Sequence, residues 1–255
     1  MIEVFDVTLP ALTGDEPRRA YVYVPDSAEE EPERRYPVLY MFDGHNVFFD
    51  EDATYGKSWG MGEYLEATGT QLIVAAVECD HDPDNGRLKE YAPYSFSERP
   101  YGAIESRGAR TMDWLIQSFK REIDRSYPTL PDREHTFIAG SSMGALMALY
   151  AVSSFSDTFS RAAALSPALE CGPGKLEEML RAASFPPDTV IYMDMGEKEL
   201  KRRAIARQYR RLCELLLKKG VKLTSRVVPG GEHNEASWEK QLPFFIPALL
   251  YDPEG

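Results

Sequence analysis

The strongest chemical signal in the sequence is a serine placed between two glycines. Residues 140–144 read Gly-Ser-Ser-Met-Gly, which matches the pattern G-x-S-x-G with Ser142 at its centre. A short apolar run precedes this pattern, and an apolar, helix-like segment follows it. In a strand–turn–helix setting such a serine stands exposed at a sharp turn, where the free N–H groups of the helix favour a developing negative charge. We therefore predict that Ser142 is a nucleophile, while Ser141 fits the spacing less well.

A serine hydroxyl needs a base to take its proton, and four histidines are candidates. His233 lies in a glycine-flanked loop after the last predicted strand, from which it can reach back over the serine. His45 and His81 also follow predicted strands, whereas His135 stands at the entry of the strand that leads to the serine and so at the wrong end of the sheet. This placement favours His233 as the base, with an ordinary surface histidine as the alternative interpretation.

The base in turn needs a carboxylate that holds its tautomer and stabilises the imidazolium. Asp194, Glu197 and Glu199 all lie near the end of the predicted strand 188–194. Spacing alone does not choose among them, because an acid in the first turn of a helix is also favoured without any catalytic role.

Alternating strands and helices must position these residues. Short segments rich in Val, Ile, Tyr, Phe or Leu predict strands at 2–9, 18–25, 36–42, 71–77, 134–139, 159–165, 188–194 and 222–229. Apolar residues at helical spacing predict helices at 110–127, at 198–219 and near the C-terminus, where Pro243 and Pro247 are expected to kink or split the helix. The pattern predicts an α/β protein with a mostly parallel central sheet of about eight strands and helices on both faces. We expect one domain over residues 1–255.

Two long loops, residues 43–64 and 79–108, follow predicted strands at the end where ligands bind in such sheets. Loops of this length in a compact domain are usually functional or disordered. Trp59, Arg87 and Tyr91 are candidates for a substrate pocket, with aromatic packing and a surface ion pair as the alternatives. Little chain remains for a lid domain, so we expect a fairly open cleft.

Composition excludes several other classes of function. The chain has 41 Asp and Glu against 29 Lys and Arg, a net charge of −12, whereas a nucleic-acid binder needs surplus cations. No apolar run approaches the roughly 18 residues of a membrane span, and the N-terminus does not resemble a signal peptide, so we expect a cytoplasmic protein without a membrane partner. Three widely spaced cysteines form neither a disulfide framework nor a CxxC metal motif.

Four motifs resemble the putative-esterase (esterase D-like) branch of the α/β-hydrolases. They are Gly-Ser-Ser-Met-Gly at 140–144, Tyr-Met-Phe-Asp-Gly-His-Asn at 40–46, Leu-Ser-Pro at 165–167 and Gly-Gly-Glu-His at 230–233. The order nucleophile, acid, histidine along the chain is also that of the α/β-hydrolases. The resemblance implies the α/β-hydrolase fold. The branch includes feruloyl and acetyl-xylan esterases, S-formylglutathione hydrolases, siderophore trilactone esterases and mycolyltransferases.

The resemblance also implies which carboxylate completes the site. The acid of this branch follows a glycine in a Gly-x-x-Asp/Glu pattern, which falls on Glu199 after Gly196. Asp194 is the next candidate and Glu197 the last.

The same resemblance implies an oxyanion hole built from two backbone N–H groups. One belongs to Met143, the residue after the serine, and the other to His45, the residue after Asp-Gly in the first long loop. Ala145 departs from the pattern, which often has a second glycine there, and this does not threaten the assignment of activity.

These observations predict a serine carboxylic-ester hydrolase that acts on a small-molecule ester through an acyl-enzyme, without a metal or an organic cofactor. The enzymatic alternatives are a specialised siderophore trilactone or feruloyl or acetyl sugar esterase, an S-formylglutathione thioesterase, and acyl transfer to an acceptor other than water. The alternative from another class is a non-catalytic hydrolase-fold binding module. Sequence leaves the acyl group, the alcohol and the oligomeric state open.

Overall fold

The chain folds around a large mixed sheet. The computed structural model describes residues 1–251, so residues 252–255 of the predicted domain lie outside the described part. The strands are β1 (Ile2–Leu9), β2 (Gly14–Tyr23), β3 (Val38–Phe42), β4 (Ile73–Val77), β5 (Phe96–Glu98), β6 (Gly102–Ile104), β7 (Thr136–Ser141), β8 (Arg161–Leu165), β9 (Val190–Gly196) and β10 (Lys222–Val228). Eight of them form one sheet in the order β1-β2-β4-β3-β7-β8-β9-β10, and β5 pairs with β6 in a separate hairpin.

Most neighbours in the large sheet run parallel. Strand β2 is antiparallel to both β1 and β4, and every pairing from β4 to β10 is parallel. The carboxyl ends of β3, β4, β7, β8, β9 and β10 therefore meet at one edge of the sheet. Residues that follow these strands are brought together although they are far apart in sequence.

Helices fill the connections between strands. They are α1 (Pro10–Thr13), α2 (Ser27–Glu30), α3 (Met61–Thr68), α4 (Gly86–Glu90), α5 (Gly108–Trp114), α6 (Lys120–Ser126), α7 (Met143–Ser154), α8 (Lys175–Ala182), α9 (Arg203–Lys218), α10 (Glu235–Glu239) and α11 (Leu242–Leu250). A π-helical turn at Leu115–Phe119 joins α5 to α6, and 3₁₀ turns occur at Gly44–Asn46, Arg133–His135 and Glu199–Lys201.

Two apolar layers cover the sheet, one on each face. Side chains alternate along β3, so that Tyr40 and Phe42 pack with α5 to α9, whereas Leu39 and Met41 pack with α3, α10 and α11. This alternation confirms the predicted mostly parallel sheet with helices on both faces.

The predicted elements form with modest differences. All eight predicted strands are present, and β2 starts earlier than predicted because β1 pairs with it down to Gly14. The C-terminal helix is split as expected, with Pro243 near the start of α11 and Pro247 inside it. The β5–β6 hairpin in the second long loop was not predicted, because strands of three residues are too short to show alternation.

Candidate active site

Ser142 occupies the turn between β7 and α7. The strand ends at Ser141 and the helix begins at Met143, so Ser142 alone makes the turn, with φ 57° and ψ −117°. A positive φ in a residue other than glycine is strained, and such strain concentrates at functional sites. A Cβ at Gly140 would lie 2.6 Å from the backbone of Gly144, so the strand and helix approach closely enough to require glycine.

Backbone hydrogen bonds hold this turn against the neighbouring strand. The N–H of Ser142 donates to the carbonyl of Leu165 at 3.0 Å, and its own carbonyl accepts from the N–H of Ala168 at 3.2 Å. The turn is therefore fixed on both sides of the serine, while the side chain faces a cleft at the carboxyl edge of the sheet.

His233 and Glu199 are in direct contact. Nδ1 of His233, in the loop after β10, lies 2.7 Å from Oε1 of Glu199 in the 3₁₀ turn after β9. The His233 ring also packs edge-on against Trp238, with 5.2 Å between ring centroids. These contacts orient the histidine so that its other ring nitrogen remains available.

The second oxygen of Glu199 is held by two donors. Oε2 accepts from Oγ of Ser166 at 2.7 Å and from the backbone N–H of Gly196 at 2.9 Å. Burial raises the pKa of Glu199, but hydrogen bonds from His233 and Ser166 outweigh it, so the net pKa lies below its ordinary value. The carboxylate is therefore ionised and fixed at neutral pH.

The other two acids considered for this role contact different groups. Asp194 is buried, where it accepts hydrogen bonds from the N–H of Ser166 and the hydroxyl of Tyr192. Burial raises the pKa of Asp194 to about 7. Glu197 is exposed and accepts from the N–H of Gly230 at 2.8 Å. Of the three predicted acids, Glu199 is the one whose carboxylate contacts His233.

Ser142 and His233 line the same open cleft, whose volume is about 360 Å³. Their side chains do not hydrogen-bond to each other in the described part of the chain, and such bonds are often long until substrate binds. The volume lies near the lower end of the range for small-molecule sites. The arrangement suits a small substrate group held between the serine and the histidine.

Two backbone N–H groups belong to residues at or next to this cleft: His45 lines it, and Met143 follows Ser142 in the chain. Met143 is the first residue of α7, so its N–H has no acceptor within the helix. His45 lies in the 3₁₀ turn that follows β3. The first hydrogen bond of this turn runs from the N–H of Asn46 to the carbonyl of Asp43, at 2.8 Å. His45 comes before the first residue whose N–H donates within the turn, so its own N–H is not used by the hydrogen bonds of the turn.

The turn that carries His45 is rigidly braced. Asp43 has a left-handed backbone with φ 59°, and Arg87 donates to both of its carboxylate oxygens at 2.7 Å. Burial raises the pKa of Asp43, but the Arg87 guanidinium lowers it more, so Asp43 carries a charge. The hydroxyl of Tyr91 accepts from the Asp43 N–H at 3.1 Å. Asp43 was not singled out from the sequence as a functional residue, although it belongs to the Asp-Gly motif there.

The three predicted pocket residues lie in different places. Arg87 lines the cleft as predicted, but its guanidinium is paired with Asp43. Trp59 is 3% exposed and packs on Trp238 in the core, so Trp238 reaches the cleft instead. Tyr91 is also buried, behind the cleft and edge-on to Phe42. Of the three, Arg87 is the one that lines the cleft, and Trp59 and Tyr91 are buried.

Several acidic residues of the cleft were not predicted. Asp80, Asp82 and Glu235 line it, and no sequence motif marks them. Burial raises the pKa of Glu235. With Asp43 neutralised by Arg87, these three carboxyl groups give the cleft an acidic character.

The helices carry no sign of a membrane span. Among those described between residues 1 and 251, none is both long and apolar enough to cross a bilayer.

Comparison with known proteins identifies the family. The family described as "Putative esterase" matches residues 13–249. Similar solved structures include an IroE-like serine hydrolase from Shewanella oneidensis, with a TM-score of 0.76 and 17% identity over 98% of this chain and 79% of that chain. An S-formylglutathione hydrolase from Agrobacterium tumefaciens has a TM-score of 0.67 and 18% identity over 98% of this chain and 94% of that chain. A ferulic acid esterase has a TM-score of 0.68 and 17% identity over 98% of this chain and 97% of that chain.

Structural likeness at these identities shows the fold, which is that of the α/β-hydrolases. Because the family match spans most of the chain, the protein belongs to the "Putative esterase" family and is an esterase.

Proposed function

We propose that this esterase cleaves carboxylic esters with Ser142 as nucleophile, His233 as general base and Glu199 as the carboxylate that orients His233. The observation that supports this most directly is the 2.7 Å contact between His233 Nδ1 and Glu199, in a cleft shared with the strained Ser142. With Nδ1 donating to the carboxylate, Nε2 carries the lone pair that takes the serine proton.

The proposed reaction proceeds in two halves. Ser142 Oγ attacks the ester carbonyl while His233 takes its proton, and the resulting imidazolium then protonates the departing alcohol. This leaves an acyl group on Ser142. A water molecule, deprotonated by His233, attacks the acyl carbonyl, and the acid is released as the proton returns to Ser142.

The tetrahedral intermediate of each half carries a negative oxygen. We assign its stabilisation to the backbone N–H groups of Met143 and His45. Loss of one such donor typically costs about 10²–10³ in rate. The bracing of the His45 turn by Asp43 and Arg87 supports this role, because a donor that is already fixed needs no reorganisation during the reaction.

The shape and charge of the cleft support a proposal about the substrate class. Its volume of about 360 Å³ and its carboxyl groups favour small esters that are neutral or cationic over anionic ones. A ferulic acid esterase, an enterobactin esterase and an S-formylglutathione hydrolase share this fold, and because their substrates are chemically unlike one another they do not favour one substrate for this chain. We propose a cytoplasmic role on a small-molecule ester.

The test is turnover of p-nitrophenyl esters from acetate to decanoate by the wild type and by Ser142→Ala. The matched control is Ser141→Ala, which removes the neighbouring hydroxyl. We expect activity on short chains, at least about 10³-fold loss in Ser142→Ala and little loss in Ser141→Ala. A fluorophosphonate probe should label the wild type and not Ser142→Ala. Absence of both turnover and labelling would contradict this proposal and favour a non-catalytic binding module with a hydrolase fold.

A further inference from the structure

Two histidines and a cysteine meet in one wall of the cleft. His45 follows β3, and Cys79 and His81 follow β4, the strand paired with β3. One ligand atom from each residue lies within 4.8 Å of those from the other two. The rings of His45 and His81 are in edge-to-face contact, with 5.0 Å between their centroids. The pairing of two strands thus gathers three metal-ligating side chains that are separated in sequence.

The His45 ring has one nitrogen without a partner. The residue is 4% exposed, and its Nε2 lies 3.0 Å from Oγ1 of Thr54. Its Nδ1 is buried and makes no hydrogen bond within residues 1–251. An unsatisfied buried polar atom normally destabilises a folded protein, so a ligand that occupies it is favoured. With the proton on Nε2 and donated to Thr54, Nδ1 presents a lone pair, and metal-ligating histidines commonly have their second nitrogen fixed in this way.

The donor set selects a class of metal. A thiolate and two imidazoles are soft and borderline ligands, which bind Zn²⁺ and similar transition metals rather than Mg²⁺ or Ca²⁺. Cys79 is 3% exposed, and burial beside the Asp43 carboxylate raises the pKa of its thiol, so the thiolate forms only when a metal ion replaces the proton. When a metal binds, the thiol loses its proton to solvent and the sulfur–metal bond forms, with no change of oxidation state.

We propose that His45, Cys79 and His81 bind one divalent transition-metal ion, with Zn²⁺ favoured by the ligand types and a fourth position open to the cleft. This site goes beyond the esterase mechanism, which needs no metal, and does not depend on it.

The geometry is close to that required for binding. Zinc bonds of about 2.0–2.3 Å place tetrahedral ligand atoms roughly 3.5 Å apart. Since the three atoms already lie within 4.8 Å of one another, each pair needs to approach by little more than about 1 Å at most. His81 is exposed and lies in the irregular segment between β4 and α4, so its side chain is free to make that movement. His45 and Cys79 are buried and supply the fixed part of the site.

The test is a titration of the full chain, freed of metal by a chelator, with Co²⁺ as a spectroscopic probe. We expect one equivalent to bind with a sulfur-to-metal charge-transfer band, and Zn²⁺ to displace it. Cys79→Ser should abolish the band, and His81→Ala should weaken binding at least about 10-fold. Matched controls are Cys213→Ser and His135→Ala, which remove a cysteine and a histidine outside the cluster and should bind like the wild type.

Thermal unfolding separates loss of the site from loss of the fold. At one fixed Zn²⁺ concentration, the unfolding midpoint should rise as much in both controls as in the wild type and should rise less in His81→Ala, whose exposed side chain is not needed for folding. The proposal is overturned if the wild type shows no thiolate band, if Cys79→Ser keeps it, or if His135→Ala lowers the affinity as much as His81→Ala.

Discussion

Replacing Glu199 with glutamine tests the proposed roles of Glu199 and His233 with a nearly isosteric change. In the wild type, Oε2 accepts from Ser166 and Gly196 while Oε1 accepts from Nδ1 of His233. The two donors at Oε2 require an acceptor there, so the glutamine oxygen is fixed at that position. The amide NH₂ then faces Nδ1 of His233.

This orientation reverses the tautomer of the histidine. An NH₂ group donates, so Nδ1 must become the acceptor and the ring proton moves to Nε2. A protonated Nε2 cannot take the proton of Ser142. The amide also carries no charge to stabilise the imidazolium. Changes of this kind lower kcat by about 10³–10⁴, which corresponds to about 4–5 kcal/mol of transition-state stabilisation.

The assay is initial-rate kinetics on p-nitrophenyl acetate for Glu199→Gln, with Glu197→Gln as the matched control. Glu197 is exposed and contacts Gly230 rather than the histidine, so its variant should keep nearly full kcat. The reasoning is refuted if Glu199→Gln, folded by circular dichroism, retains kcat within about 10-fold of the wild type. A larger loss in Asp194→Asn than in Glu199→Gln would assign the acid to Asp194 instead.

The same variant has an expected pH signature in stability. The pKa of Glu199 is lowered from its ordinary value of 4.5 in the folded protein. Its ionised form therefore stabilises the fold fully above pH 4.5, and this contribution is lost as the pH falls through the lowered pKa. Urea unfolding should show a stability gap between the wild type and Glu199→Gln at neutral pH that narrows below pH 4.5. A gap independent of pH would contradict the carboxylate's role in the fold.

Three further predictions concern the surroundings of the site. Burial raises the pKa of Asp194 from 3.8 to about 7 in the folded protein, so its ionisation costs stability as the pH rises through that range. Asp194→Asn should therefore gain stability relative to the wild type across the same range and show no further gain above it, and a thermal midpoint shift that is the same at all pH values would contradict this. A Cβ at Gly44 would lie 2.8 Å from the backbone N of Val77, so Gly44→Ala should displace the His45 N–H and lower kcat by about 10²–10³. The unfolding midpoint of the variant checks that it folds, and an unchanged kcat would argue against His45 as an oxyanion-hole donor. Because the cleft is acidic, an ester with a mono-anionic acyl group should show a kcat/KM at least about 10-fold below that of a neutral ester of equal length. Added salt should reduce this difference, and equal kcat/KM values for the two esters would argue against selection by charge.

Sequence alone determined the strands of the sheet and the identity of the proposed nucleophile, because both depend on local patterns. Short apolar runs predicted all eight strands of the large sheet, and the spacing of Gly140, Ser142 and Gly144 predicted the turn between strand and helix. The proposed base followed from chain order, since a loop after the last strand must lie at the carboxyl edge of a parallel sheet.

Only the tertiary structure decided which side chains meet at that edge. Spacing left Asp194, Glu197 and Glu199 open, and the resemblance favoured Glu199; the structure separates them by the directions in which their carboxyl groups point after β9. Trp59 was predicted as a pocket residue and is buried, because an aromatic in a loop packs wherever apolar surface is available.

The contact of His45 with Cys79 and His81 likewise depends on the pairing of β3 with β4, a long-range choice that no local pattern encodes. A local pattern fixes the element in which a residue lies. Packing of distant segments fixes its partners, and in this protein those partners define the chemistry that we propose.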